Sequence, residues 1–88
     1  MEKIVKEHQR AYAKTLKQVR WCERTMEKFH KENDFTNVMV FREMADGIIE
    51  GASTFAIYTH TYYQWFFFRL MDEVSNLYDK LSKEYFGI

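Results

Sequence analysis

The side chains best equipped for chemistry in this 88-residue chain are its single cysteine, Cys22, and its three histidines, His8, His30 and His60. A sulfur nucleophile needs a base beside it and a third group to orient that base. Cys22 instead falls in step with Val5, His8, Tyr12, Thr15, Val19, Met26 and Phe29, a series spaced by alternating threes and fours. On such a seam a cysteine is expected to serve as a small hydrophobic side chain. Glu27-Lys28-Phe29-His30 has the Glu-x-x-His spacing that carboxylate-bridged metal pairs use in helical bundles. That chemistry needs two such pairs and two further glutamates, which only a second copy could complete with Glu43, Glu50 or Glu73. Glu27 and His30 also flank the seam, and a histidine in the last turn of a helix is explained by the helix dipole alone. There is no glycine-rich phosphate loop and no paired Cys/His metal spacing. The expectation is a protein with no catalytic residues, no metal and no cofactor, acting by binding.

Three features bear on what it binds. Lys3, Arg10, Lys17, Arg24 and Lys31 recur every seven residues opposite the apolar seam, flanked by Lys6, Lys14, Arg20 and Lys28. Like charges three and four apart cost a helix a few tenths of a kcal/mol each. The stripe therefore reads either as a solvated face or as a surface for phosphates or an acidic protein. Nucleic-acid association through Lys3, Arg10, Lys14, Lys17, Arg20, Arg24 and Lys31 is the alternative function. It is disfavoured by zero net charge and by the lack of a nucleic-acid-binding motif.

The second feature is a run from Gly51 to Phe68 without a charged residue, carrying Phe55, Tyr58, Tyr62, Tyr63, Trp65, Phe66, Phe67 and Phe68. As a helix it is apolar almost all round, so it must be central in a core or covered by another molecule. Phe55, Tyr58, Tyr62, Tyr63, Trp65, Phe66 and Phe67 are the expected partner interface, because Tyr and Trp bury large areas while keeping a polar tip. His60, Gln64 and Arg69 interrupt or bound the run, so a membrane span is not expected. The third feature is Gly47-Ile48-Ile49-Glu50-Gly51, a small-xxx-small spacing that predicts close helix packing at Gly47 and Gly51, or else a kink.

The elements that must position these residues are helices. There is no proline and only three glycines, so a few long helices with short connections are expected. Residues 2–32 read as one helix, with Ile4, Ala11 and Leu16 widening its stripe. At Lys31-Glu32-Asn33-Asp34 the pattern breaks, and Asn33 or Asp34 can cap the next helix, making residues 33–35 a short connection. From there Val38, Phe41, Ala45, Ile48, Ala52 and Phe55 continue, and Tyr62, Phe66, Leu70, Leu77, Leu81 and Tyr85 carry the stripe onward. Gly47 and Gly51 weaken a helix by about 1 kcal/mol each, and Thr54, Ile57, Thr59 and Thr61 are β-branched. The sequence therefore predicts helices over 2–32, 35–50 and 55–86, with a bend near Gly51 to Thr61.

Residues 1–33 hold nine Lys/Arg against five Glu, and residues 34–88 hold four against eight acidic residues, so the chain is a dipole along its length. With 47% hydrophobic and 18% aromatic residues, it has more apolar material than so short a monomer easily buries. The predicted fold is all-α, a single small bundle of two or three long helices with a bent or broken second half, completed by dimerisation. A lone cysteine and a charged N-terminus without an apolar signal core point to the cytoplasm. The expected function is a non-enzymatic protein-protein interaction module, a homodimer acting as an adaptor, inhibitor or accessory factor in the style of phage and mobile-element proteins.

Overall fold

The computed structural model describes residues 2–59 and 64–87, with side chains described over 9–54 and 65–87. The fold is all-α: α1 spans Glu2–Lys31, α2 Phe35–Thr59 and α3 Gln64–Phe86. Among the described residues there is no strand.

The break between α1 and α2 is made by two neighbours with different tasks. Asn33 adopts a left-handed backbone (φ 58°), a conformation that Asn tolerates better than most side chains. This turns the chain so that the Asp34 N–H donates to the Phe29 carbonyl (2.9 Å) and the Asn33 N–H to the His30 carbonyl (3.1 Å). The pair closes α1 as a Schellman motif. Asp34 then opens α2: its carboxylate accepts from the Asn37 N–H (3.3 Å) and from the Asn37 side-chain amide (2.6 Å), satisfying donors that the first helical turn leaves free.

So short a turn folds α2 back along α1, and α3 returns parallel to α1. Two clusters make the core. Val19 and Cys22 of α1 meet Ala45 and Ile49 of α2 and Phe67, Leu70 and Val74 of α3. Met26 meets Phe35, Val38 and Leu81 nearer the turn. The expected seam of α1 is thus the buried one, and even Thr15 is hidden, its hydroxyl donating to the Ala11 carbonyl (2.9 Å).

The second half departs from expectation in two respects. α2 does not stop at residue 50 but runs through Gly47 and Gly51 to Thr59. Two glycines cost about 2 kcal/mol of helix propensity, less than burying Ala45 and Ile49 with half-burial of Ile48 and Ala52 returns. Residues 55–59, assigned from sequence to the last helix, therefore end α2. Residues 60–63 lie outside the described residues. The close packing expected at Gly47 and Gly51 is also absent: both are exposed, and a Cβ on either would meet nothing within 4 Å. α2 approaches its neighbours through the opposite face, the one carrying Ala45 and Ile49.

Candidate protein-binding surface

Helical spacing sorts the aromatic run of α3 into inward and outward residues. Phe67, Leu70 and Val74 recur at three and four and point into the core, Phe67 being only 4% exposed. Trp65 and Phe68 share the other face and are 59% and 57% exposed. Arg69, one turn after Trp65, lies over its indole with the guanidinium 5.6 Å from the ring centre. Phe66 lies between, half-buried, with its ring 5.3 Å from Tyr12 of α1 and 5.3 Å from Trp65.

Of the residues expected to form the interface, the structure therefore puts Trp65 on the surface, Phe66 at its edge and Phe67 in the core. Phe55 and Tyr58 belong to α2, but their side chains lie outside the described residues, as do Tyr62 and Tyr63 altogether. Beside this end a shallow cleft of about 180 Å³ is lined by Tyr12, Arg20, Phe66, Arg69, Leu70 and Glu73. Ligand pockets for small molecules typically run to about 300–1,000 Å³, so the cleft is smaller than such a site.

The basic residues of α1 divide as well. Arg10, Lys14, Lys17, Arg24 and Lys31 are exposed, while the side chain of Lys3 lies outside the described residues. Arg20 is different, because it ties α1 to α3. Its guanidinium pairs with Glu23 at 2.6 Å and with Glu73 at 2.8 Å. The hydrogen bond to Glu23 holds it protonated more firmly than usual against partial burial, and Glu73 adds to the effect.

Among the described residues the groups that could do covalent or metal chemistry are dispersed, and the side chains of His8 and His60 lie outside those residues. Cys22 is buried among apolar side chains, and that burial pushes its thiol up, with the charge of Glu23 adding to the shift. A thiolate is the reactive form, so this sulfur is poorly placed to attack. His30 pairs through Nε2 with Glu84 of α3 at 2.9 Å, whereas Glu27 is exposed one turn away. Among the described residues no group of three or more His, Cys, Asp or Glu could hold a metal ion. None of the described helices is long and apolar enough to cross a membrane.

Two features escaped sequence reasoning. At the turn end Phe35 stacks on Tyr85 (4.8 Å, 17°) and meets Tyr78 and Phe86. Along α2, Met39, Val40 and Met44 are exposed, and so is Trp21 of α1. The spacing of Val40, Met44, Gly47 and Gly51 was the available signal, a second helical stripe out of phase with Val38, Ala45 and Ile49.

Fold and surface together define a small three-helix bundle with exposed aromatic rings at the start of α3. Comparison with protein-family models, curated proteins and solved structures yields no match, so the surface itself carries the functional argument.

Proposed function

We propose that this chain is a non-enzymatic, cytoplasmic protein-binding module, an adaptor, inhibitor or accessory factor. Its contact surface is the aromatic end of α3, centred on Trp65 and Phe68 and edged by Phe66 and Arg69. The observation that carries this reading is the pair of large rings left more than half exposed at the start of α3. A monomer gains nothing by holding them in water, whereas such rings are the residues that dominate protein interfaces. Arg69 over Trp65 adds a cation that a partner's carboxylate can share.

The second reading is nucleic-acid association through the exposed Arg10, Lys14, Lys17, Arg24 and Lys31. One experiment separates the two: affinity capture with tagged wild type and with Trp65→Ala/Phe68→Ala, before and after nuclease and at high salt. The expected result is a protein held at fixed stoichiometry that survives both treatments and is lost with the double variant. Truncating an interface hot spot costs about 2 kcal/mol or more, about thirtyfold in affinity for each ring. Unchanged capture by the variant would sink the proposal. Nucleic acid that elutes between about 50 and 200 mM salt would make the basic stripe the binding surface.

A further inference from the structure

The aromatic end leaves another surface unexplained. On α2 the residues turned away from the core are Val40, Met44, Gly47 and Gly51, at steps of four, three and four. Val40 and Met44 are 46% and 40% exposed; Trp21 of α1, 50% exposed, stands beside them through its edge contact with Phe41 at 5.4 Å. Charges of opposite sign border this apolar strip. Lys14, Lys17 and Arg24 surround Trp21 on α1, and Glu43 and Glu50 run along the far edge of α2. None of these five makes an ion pair among the described residues, whereas Arg20, His30 and Arg42 are each matched to an acid.

We propose that the α1–α2 face is the docking surface for a second copy of this chain, forming a two-fold symmetric dimer. A two-fold contact uses the same patch on both partners and so must be complementary to itself. This face is basic along one edge and acidic along the other. A two-fold axis lying in the plane of the contact and running along the helices, between Trp21 and Met44, lays each basic edge on the other copy's acidic edge. The same rotation sets α1 antiparallel to α2 of the second copy and brings the Trp21 indole to the level of the bare backbone at Gly47. The Gly47 end of the small-xxx-small spacing, open on its outer side among the described residues, thereby acquires an occupant.

The area is sufficient. Two helices side by side are about 20 Å across, and the 25 residues of α2 are about 37 Å long. That gives a face on the order of 700 Å², close to the roughly 800 Å² that each partner contributes to a standard interface. A nucleic acid on this face would meet the Glu43 and Glu50 edge. Trp65 and Phe68 take no part, so the dimer stands or falls separately from the function proposed above.

The test is the solution mass, by light scattering and sedimentation, of wild type and five variants whose helicity is checked by circular dichroism. Wild type should sediment at twice the 10.8 kDa chain mass. Gly47→Leu has open space in the monomer and replaces a poor helix former. It should therefore stay helical and weaken self-association at least tenfold. Lys17→Glu/Arg24→Glu should be monomeric, and so should Glu43→Lys/Glu50→Lys. Mixed in equal amounts, these two should dimerise with each other, and a chain carrying all four changes should dimerise with itself. Trp65→Ala/Phe68→Ala should keep the wild-type mass. A wild type that stays monomeric up to its solubility limit overturns the proposal. A dimer indifferent to Gly47→Leu and to both charge reversals does so too, as does failure of the mixture to pair.

Discussion

Cys22 sits where a charged sulfur has neither water nor a cation to stabilise it. Its thiol is raised above the ordinary value by burial first and by Glu23 second. In the unfolded chain the thiol ionises at its usual pH; the native chain holds that proton longer. Stability is therefore undiminished by this group below the ordinary thiol range. It falls as pH rises through that range towards the raised native value. Urea titrations at rising pH should show this loss in wild type and a smaller one in Cys22→Ala. The same burial protects the sulfur from reagents. A thiol-modifying reagent should label native protein at least ~100-fold more slowly than denatured protein, the factor set by about 3 kcal/mol of local opening. Equal rates would mean that Cys22 is reachable by solvent in the native protein.

Between elements, the turn at residues 32–34 carries the hairpin, and its two tasks can be separated. Asp34→Ala removes the cap of α2 and should cost about 1 kcal/mol, lowering the melting midpoint by about 4–8 °C for a domain of this size. Asn33→Gly relieves a left-handed backbone and should raise stability by about 0.5 kcal/mol. A neutral Asp34→Ala would show that packing alone holds the turn. The location of this turn was legible in the sequence, because the seam of α1 stops there and capping residues follow. Which residue caps and which turns was not, since Asn and Asp serve both roles until the dihedrals are known. The buried face of α1 was equally legible, from Val19, Cys22 and Met26.

The second half was harder. One stripe drawn through Val38, Ala45, Ile48 and Ala52 captures the side of α2 that faces α1. It misses Ile49, fully buried in the cluster shared with Val74 of α3, because a helix with two neighbours buries a wider arc than one stripe can describe. For the same reason composition marked the aromatic run as a whole, although Phe67 fills the core while Trp65 faces outward. Only the phase of α3, over Gln64–Phe86, decides between them.

As a whole the molecule is a thin slab, 50 × 19 × 14 Å, with a radius of gyration of 14.6 Å. A compact domain of this length would have one of about 12 Å. Its accessible surface is 6265 Å², whereas a monomer of this mass normally exposes about 5,500 Å². The excess is a consequence of shape: three helices this long surround one narrow core and leave broad faces on either side. Covering such a face adds stability by mass action, so the melting midpoint should rise with protein concentration if a second copy binds. A midpoint unchanged over a hundredfold range, about 100-fold in concentration, would argue against any self-association under those conditions.

The order of packing has a consequence in time. α1 lies chiefly on α2 and α2 on α3, while α1 and α3 touch sparingly. Neighbours in space are thus neighbours along the chain, and a chain with such low contact order folds within microseconds to milliseconds. The α1–α2 hairpin, with the larger contact and the capped turn, should form first, and α3 should be the last to arrive. Read in reverse, native-state hydrogen exchange should release the amides of α3 in a cooperative opening that leaves those of α1 and α2 protected. The helix that carries Trp65 and Phe68 would then also be the one that can lift from the others without unfolding the rest.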